Sequence, residues 1–230
     1  DRIAQSTATV AVIGMGYVGF PLARALHEVG YRIIGFDVDP RKIEMMNRGE
    51  SYLGHFGDEF FRSLTEGERF RATSDPSAIA DADVVVLCVP TPLGDHREPD
   101  LSFVLDTARS LAPHLAKGVL VTLESTTYPG TTEDELRKAL EEGSGMKAGV
   151  DFHLAYSPER EDPGRQNASV KTIPKVVGGY TVKCSELAEN LYGQALDRVH
   201  LVSSCRAAEA TKLLENIFRP LNAIQLHPHY

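Results

Sequence analysis

The sequence predicts an α/β fold: a Rossmann-type, doubly wound, mainly parallel sheet with helices on both faces, followed by the start of a long central helix. Three observations support this prediction. Short apolar runs rich in β-formers alternate with helical stretches along most of the chain. Several runs are continuously apolar, as in strands covered on both faces, and Val84–Val89 is the clearest. A glycine-rich turn joins the first run to the first helix.

The individual elements follow from these runs. The predicted strands are Thr9–Ile13, Tyr31–Phe36, Val84–Val89, Val119–Leu123, Phe152–Tyr156, Lys175–Val177 and Arg198–Leu201. The predicted helices are Val18–Val29, Arg41–Asn47, Leu101–Leu115, Thr132–Glu142 and Val182–Leu191. Thr132 and Glu135 have the spacing of a capping box, which predicts a side-chain cap at the start of the fourth helix.

The last predicted helix covers Ala207–Ile217 and opens with small residues. Pro220 follows, and because a proline inside a helix costs roughly 3 kcal/mol we expect a kink or an early end there. His227 and His229 flank another proline, and we interpret them as part of a frayed end rather than as metal ligands. No metal site is expected.

Composition and charge narrow the function classes. The net charge is -8 with dispersed acidic residues, so the chain offers no basic face to nucleic acid or to anionic lipid. No apolar run is long enough to span a bilayer, and no apolar segment of a signal peptide opens the chain. The 3 cysteines have neither C-x-x-C spacing nor a paired framework, which fits a reducing compartment. We therefore expect a cytoplasmic protein with no nucleic-acid or membrane partner.

The glycine-rich turn predicts a dinucleotide site. Gly14 permits the tight turn, Gly16 lets a pyrophosphate approach the backbone, and Gly19 lets the helix pack against the strand. The helix N-terminus supplies N–H groups and partial positive charge to the phosphates. The predicted cofactor contacts in this turn are Gly14, Gly16, Tyr17, Val18 and Gly19. The alternative interpretation is an ordinary glycine turn of an α/β protein.

Asp37 predicts which dinucleotide is bound. It ends the second predicted strand at about the expected 20 residues from the glycine turn, where its carboxylate can accept both ribose hydroxyls and repel a 2′-phosphate. Arg41 and Lys42 lie about one helical turn further on and could offset that repulsion, and Lys42 is a predicted cofactor contact. The cofactor expected is NAD rather than NADP. A helix-capping role for Asp37 is the alternative.

Several less common strings follow in order. They are Val12–Gly19, Cys88–Leu93, Glu124–Gly130, Tyr156–Arg160 and Lys212–Asn216. Together they resemble the UDP-glucose/GDP-mannose dehydrogenase family, over a stretch from about Thr9 to Asn222. Arg97–Leu101 and Ser157–Gly164 look most like the UDP-N-acetylglucosamine 6-dehydrogenase branch, of which UDP-N-acetylmannosamine dehydrogenases are close neighbours. The resemblance implies oxidation of the C6 alcohol of a UDP-sugar to a carboxylate with two NAD, through a cysteine thiohemiacetal and a thioester that water hydrolyses.

The resemblance also implies roles for single residues. Pro90 and Thr91 would contact the cofactor, and Thr126 would do so too while its hydroxyl positions a water. Glu159 resembles the glutamate that assists proton transfer and thioester hydrolysis. Pro163 stands where relatives often carry a second glutamate, so no second acid is expected there. Without the resemblance, Thr126 would be read as a turn residue and Glu159 as a loop carboxylate.

Lys212 and Asn216 are spaced i, i+4 and share one helix face. By resemblance they form the pair that stabilises negative charge developing on the C6 oxygen. Taken alone, a solvated lysine and an asparagine near a helix end would be the better interpretation.

The family's nucleophile lies in a glycine-rich G-x-G-x-x-C motif that this chain does not match. Cys88, Cys184 and Cys205 lack that context and are read as small core residues. We expect an NAD-binding Rossmann domain at 1–205, the start of a central linker and dimerisation helix at 206–230, and no C-terminal UDP-binding domain. The fragment is expected to be inactive alone, and its parent enzyme to be a homodimer or larger.

Two other functions stay open at this point. A two-electron β-hydroxyacid dehydrogenase also places a Lys-x-x-x-Asn pair after a Rossmann domain and needs no cysteine. A non-catalytic NAD-binding module would bind the cofactor without turnover. The number of NADH formed per substrate separates the first from a sugar dehydrogenase, and supplying the missing half separately tests the second.

Overall fold

The fold is organised around a single twisted sheet. The computed structural model describes residues 2–54, 56–94, 99–159 and 173–226, and side chains as far as 215. Within these residues the strands are β1 Thr9–Ile13, β2 Arg32–Phe36, β3 Phe70–Thr73, β4 Val84–Leu87, β5 Leu120–Leu123, β6 His153–Tyr156, β7 Lys175–Gly179 and β8 Val199–Val202. They form one sheet in the order β3-β2-β1-β4-β5-β6-β7-β8.

Helices connect the strands. The α-helices are α1 Gly19–Glu28, α2 Pro40–Arg48, α3 Asp58–Thr65, α4 Ser102–Leu111, α5 Arg137–Ser144, α6 Val182–Ala195 and α7 Cys205–Leu226. Short 3₁₀ turns cover Pro76–Asp81 and Ala112–His114, and a π-helical turn, Thr131–Leu136, leads directly into α5. Within the described ranges, no helix combines the length and the apolarity needed to cross a membrane.

The strand directions confirm the predicted doubly wound plan. All pairs from β3 to β6 are parallel, β7 runs antiparallel to β6, and β8 runs parallel to β7. A parallel pair requires a crossover, and the helices supply these crossovers on both faces. The fold class predicted from the sequence is therefore correct.

Alternate residues of the strands fill two separate cores. In β1, Val10 and Val12 pack in the layer that contains Phe20 and Phe61, whereas Ala11 and Ile13 pack in the opposite layer with residues of α4, α5 and α7. A strand directs successive side chains to opposite faces, so a continuously apolar strand must be covered twice. This explains why the buried strands read as unbroken apolar runs.

Some elements differ from the prediction. Strand β3 and helix α3 were missed: β3 is a half-exposed edge strand containing Arg71, and its sequence carries no apolar run. Of the kink or early end expected at Pro220, the early end is wrong, because α7 continues to Leu226. A proline removes one backbone donor, and a helix of 22 residues has many other hydrogen bonds that keep it intact.

Candidate functional site

Five parallel strands end in register, which brings their following loops to one edge of the sheet. Ile13 is paired with Phe36 and Leu87, Leu87 with Leu123, and Leu123 with Tyr156, and each is the last residue of its strand. The residues that follow these ends therefore emerge side by side. In open α/β sheets, ligands bind at this carboxyl edge, on either side of the point where the strand order reverses. Here that point lies between β1 and β4.

The glycine turn after β1 is tightly packed at two positions and open at one. Gly14 has φ +93, and a Cβ on it would stand 2.5 Å from the carbonyl oxygen of Cys88. A Cβ on Gly19 would stand 2.0 Å from the carbonyl oxygen of Gly14, while a Cβ on Gly16 would meet no atom within 4 Å. The protein itself therefore requires the outer two glycines, whereas the open space over Gly16 is where a ligand can reach the backbone.

The N-terminus of α1 is suited to an anion. Within the described chain, Val18 precedes α1 without a side-chain cap, and the first turn of α1 has no acidic residue. The helix dipole and the unpaired N–H groups of a first turn favour a phosphate. Tyr17 lies at the mouth of this turn with 51% of its surface exposed. Together with the open face of Gly16, these features fit the pyrophosphate of a dinucleotide.

Asp37 follows β2 and is only 5% exposed. Its Oδ2 accepts hydrogen bonds from the Met15 N–H at 3.0 Å and from Lys42 Nζ at 2.9 Å, and its Oδ1 accepts one from the Asp39 N–H at 3.0 Å. The carboxylate therefore lies after β2 beside the glycine turn, and its hydrogen bond from Met15 orients it. Lys42 bonds directly to it, so a ribose bound there would share Asp37 with this ammonium.

Tyr52, which the sequence analysis did not single out, joins the same group. Its hydroxyl donates to the carbonyl oxygen of Met15 at 2.6 Å, and Lys42 Nζ lies 5.9 Å from its ring centre. Burial, followed by the charge of Asp37, raises the pKa of Tyr52, so the phenol stays protonated and remains a donor. Tyr52 and Asp37 therefore both hold the glycine turn at Met15, one through its carbonyl oxygen and the other through its N–H.

Hydrogen bonds join the loops after β4 and β5. Thr91 Oγ1 donates to the Thr126 carbonyl at 2.7 Å, and Ser125 Oγ donates to the Val89 carbonyl at 2.5 Å. Pro90 is exposed between these two contacts, while Thr91 and Thr126 are half-buried. The residues predicted from the two motifs thus lie together, next to the glycine turn that packs on Cys88.

Lys212 reaches the loop after β6. Its side chain is largely buried, and its Nζ donates to the backbone carbonyl of Glu159 at 2.6 Å. Two predicted residues that are far apart in sequence are therefore in direct contact. Asn216 lies one turn further along α7, and its side chain falls outside the described part. Arg160 and Pro163, and residues 97 and 98 of the other branch-specific motif, also lie outside the described residues.

The predicted capping box is wrong. Thr132 does not cap its own helix: its hydroxyl donates to Glu209 Oε1 at 2.7 Å, and its N–H donates to the same oxygen at 2.9 Å. The Gly130 N–H donates to Glu209 Oε2 at 2.6 Å. The carboxylate of Glu209, on α7, therefore caps this helix from another element. Arg206 adds exposed ion pairs to Glu133 and Asp134 at the same junction, which we call the α7 junction.

A buried ion pair lies below the Thr126 loop. Lys175 Nζ is 2.6 Å from Glu124 Oε2, with side chains 10% and 1% exposed. Lys175 also lies 4.9 Å from the ring centre of Tyr192, whose hydroxyl is hydrogen-bonded to Thr122 Oγ1 at 2.6 Å. The pair joins the end of β5 to the start of β7. Sequence reasoning missed it because the two residues are separated by 51 positions.

The surroundings of the three cysteines favour a packing role over a nucleophilic one. Cys88 is half-buried and lies one residue beyond β4, rather than within the predicted strand. Cys184 and Cys205 are buried, and the Cys205 thiol donates to the Gly178 carbonyl at 3.3 Å. Burial, followed by the charges of Glu133 and Glu209, raises the pKa of Cys205 well above its usual range, which disfavours a nucleophilic thiolate. No group of three potential metal-binding side chains is found among the described residues.

Comparison with known proteins agrees with this geometry. Residues 8–196 match the family model of the UDP-glucose/GDP-mannose dehydrogenase family, NAD binding domain. UDP-N-acetyl-D-glucosamine 6-dehydrogenase of Pseudomonas aeruginosa is 37% identical over 217 residues, covering 93% of this chain and 50% of that protein. UDP-N-acetyl-D-mannosamine dehydrogenase of Escherichia coli (strain K12) is 38% identical over 226 residues, covering 95% and 53%. The chain thus spans about half the length of these relatives.

A solved structure shows the same fold. The crystal structure of NDP-N-acetyl-D-galactosaminuronic acid dehydrogenase from Methanosarcina mazei Go1 matches with a TM-score of 0.87 and 35% identity, covering 99% of this chain and 51% of that chain. The matched domain is an NAD-binding one, so the expected cofactor, NAD, is confirmed.

Proposed function

The chain belongs to the UDP-glucose/GDP-mannose dehydrogenase family, and from this premise we propose that it supplies the NAD-binding part of a nucleotide-sugar 6-dehydrogenase. The proposed reaction oxidises the C6 alcohol of a UDP-N-acetylhexosamine, UDP-N-acetylglucosamine foremost, to the uronic acid with two NAD. One observation carries the proposal: at the sheet edge that holds the glycine turn, Thr91 is hydrogen-bonded to the Thr126 carbonyl and Lys212 to the Glu159 carbonyl.

The described residues fit NAD. The pyrophosphate would lie over Gly16 at the N-terminus of α1, and Asp37 would accept a ribose hydroxyl while opposing a 2′-phosphate. We assign further cofactor contacts at the same sheet edge to Tyr17, Val18, Pro90 and Thr91. When bound, the nicotinamide supplies the hydride acceptor, and the chain orients it.

The proposed roles of the remaining residues follow from their chemistry. Lys212 brings a positive charge to the site, and its bond to the Glu159 carbonyl fixes where that charge stands. A fixed cation stabilises negative charge developing on the C6 oxygen, together with Asn216. The half-buried carboxylate of Glu159 would take up or return a proton, and the Thr126 hydroxyl would hold the attacking water.

The rest of the catalytic machinery is proposed to come from a second domain. In the proposal residues 1–205 form the NAD-binding domain, 206–230 begin the central linker helix, and the nucleophilic thiol and the UDP site belong to the other half of the enzyme. The whole enzyme is proposed to be a homodimer or larger. One relative named above is a UDP-N-acetyl-D-glucosamine 6-dehydrogenase and the other a UDP-N-acetyl-D-mannosamine dehydrogenase. The preference for the glucosamine epimer is therefore the most specific part of the proposal.

The test combines binding and turnover. The purified chain is titrated with NAD and NADP by calorimetry, and NADH is followed by absorbance with UDP-N-acetylglucosamine and, in parallel, UDP-N-acetylmannosamine. We expect NAD to bind more tightly than NADP, with no NADH from the chain alone and two NADH per sugar after the second domain is supplied. One NADH per substrate would instead indicate a simple alcohol dehydrogenase. No NAD binding would contradict the assignment at its first step.

A further inference from the structure

Glu209 is a fully buried carboxylate to which the proposed reaction assigns no role. It lies on α7 with 0% of its surface exposed and accepts three hydrogen bonds, from the Gly130 N–H, the Thr132 N–H and the Thr132 hydroxyl. A buried charge is costly unless it is fully hydrogen-bonded. All three of these donors belong to the turn that follows the Thr126 loop.

The charge of Glu209 meets the positive end of a helix. The Thr131–Leu136 turn runs into α5, and Gly130, which precedes it, has no side chain that could cap it. Burial raises the pKa of Glu209, and the hydrogen bonds from Thr132 and Gly130 act in the opposite direction by favouring the ionised carboxylate. Glu209 therefore replaces the missing cap, and does so from a helix 77 residues away in sequence.

The position of Glu209 links the two halves of the candidate site. Gly130 closes the loop that begins at Thr126, and Lys212 lies three residues after Glu209 on the same helix face. Lys212 in turn holds the carbonyl of Glu159. A shift of α7 relative to Gly130 would therefore move the ammonium relative to the Thr126 loop.

We propose that Glu209 is a positioning residue: by binding the backbone at Gly130 and Thr132, it holds Lys212 and the Thr126 loop in one fixed frame. The proposal rests on the proposed function, because that function gives Lys212 and the Thr126 loop their roles. It does not depend on turnover for its test, because the loop contacts Thr91, a proposed cofactor contact, through the Thr126 carbonyl.

The substitution Glu209→Gln separates acceptor strength from size. One amide oxygen can still accept both bonds from Thr132, but the amide NH₂ then points at the Gly130 N–H, which loses its acceptor while buried. Thr132→Val is a milder second variant that removes only the hydroxyl donor. Asp134→Asn is the matched control, because it removes a carboxylate from the same α7 junction by breaking the exposed pair with Arg206.

The measurements are amide hydrogen exchange, residue by residue, and NAD affinity by calorimetry, on the whole chain. For Glu209→Gln we expect exchange at Gly130 to accelerate by about tenfold or more, exchange at Thr126 and Thr127 to accelerate with it, and NAD affinity to fall about three- to tenfold. Thr132→Val should change the same quantities less. Asp134→Asn should leave the Thr126 loop and NAD affinity as in the parent chain.

The opposite results are equally specific. If Glu209→Gln accelerates exchange at Gly130 alone, and Thr126 exchange and NAD affinity match the Asp134→Asn control, Glu209 is only a helix cap and the proposal is overturned. If Glu209→Gln does not fold, the same comparison is decided by Thr132→Val. Failure of the parent chain to bind NAD would contradict the proposed function instead, and the exchange rates at Thr126 and Thr127 would still decide the role of Glu209.

Discussion

The glycine turn makes a prediction in which stability and binding separate: replacing Gly16 by alanine should abolish tight NAD binding without destabilising the fold. A Cβ at Gly16 would meet no protein atom within 4 Å, and the φ of Gly16 lies outside the left-handed region. At such a position alanine reduces the freedom of the unfolded chain, which stabilises a protein by about 0.4–1 kcal/mol. The free energy of unfolding should therefore stay the same or rise slightly.

The loss of NAD affinity follows from what the methyl group would displace. A phosphate oxygen hydrogen-bonded to a backbone N–H must approach to about 2.9 Å, and a Cβ in the open space over Gly16 occupies that approach. A hydrogen bond to a charged group contributes about 1.5–3 kcal/mol. Losing one such bond weakens binding by about 10- to 150-fold, because each 1.4 kcal/mol is about a factor of ten.

The neighbouring glycines provide the contrast. Alanine at Gly14 would combine φ +93 with a Cβ 2.5 Å from the Cys88 carbonyl oxygen, and alanine at Gly19 would place one 2.0 Å from the Gly14 carbonyl oxygen. Backbone strain of about 1–3 kcal/mol and a similar cost of overpacking give Gly14→Ala about 2–6 kcal/mol of destabilisation.

Urea unfolding and NAD calorimetry on the three variants test this reasoning. The expected pattern is a stable Gly16→Ala variant that binds NAD weakly, and destabilised Gly14→Ala and Gly19→Ala variants. A folded Gly16→Ala variant that binds NAD with the affinity of the parent chain would refute the placement of the pyrophosphate over this residue.

Three further predictions concern charges. Lys175→Met leaves the carboxylate of Glu124 buried without its cation, and should lower the free energy of unfolding in urea by about 3–5 kcal/mol. The double variant Lys175→Met, Glu124→Gln should recover most of this loss. If the effects of the two single substitutions simply add, the two residues are not coupled. Asp37→Asn should reduce the preference for NAD over NADP, measured by calorimetry, by about tenfold or more, because the repulsion of a 2′-phosphate is lost. An unchanged ratio of the two affinities would show that Asp37 does not select the cofactor. Burial, and then the charge of Arg69, lower the pKa of His27, so the unfolded state binds a proton more readily than the folded state. The free energy of unfolding should therefore fall as the pH drops below 6.5. In urea unfolding His27→Gln should make this fall with pH less steep, and a fall as steep as in the parent chain would contradict the prediction.

How well the sequence predicted the fold depended on burial. The strands at the centre, such as Val84–Leu87, are covered on both faces and their apolar runs are unambiguous. Strand β3 lies at the edge and pairs only with β2, so its half-exposed residues need not be apolar and its pattern is weak. Helix α3 was missed although Phe61 and Leu64 are buried, because its eight residues span barely two turns and offer little periodicity.

The residues of the candidate site also differ in how well the sequence predicted them. The positions of the glycine turn and of Asp37 were predictable because each directly follows a strand that the sequence pattern identifies. Tyr52, Glu124 and Glu209 were not predictable, because each acts through a partner far away in sequence. For Glu209 a local signal even pointed elsewhere, since Thr132 had the spacing of a capping box but donates its hydroxyl to α7.

The start of α7 is attached to the rest of the domain at three points. Its first residue, Cys205, donates its thiol to β7, and Glu209 binds the turn after β5 one helical turn later. Lys212, at the next turn, reaches the loop after β6. Three successive turns of α7 are thus attached to β7 and to the segments that follow β5 and β6. Because α7 is held at these three points, the ammonium of Lys212 is positioned by contacts within this domain rather than by contacts further along the helix.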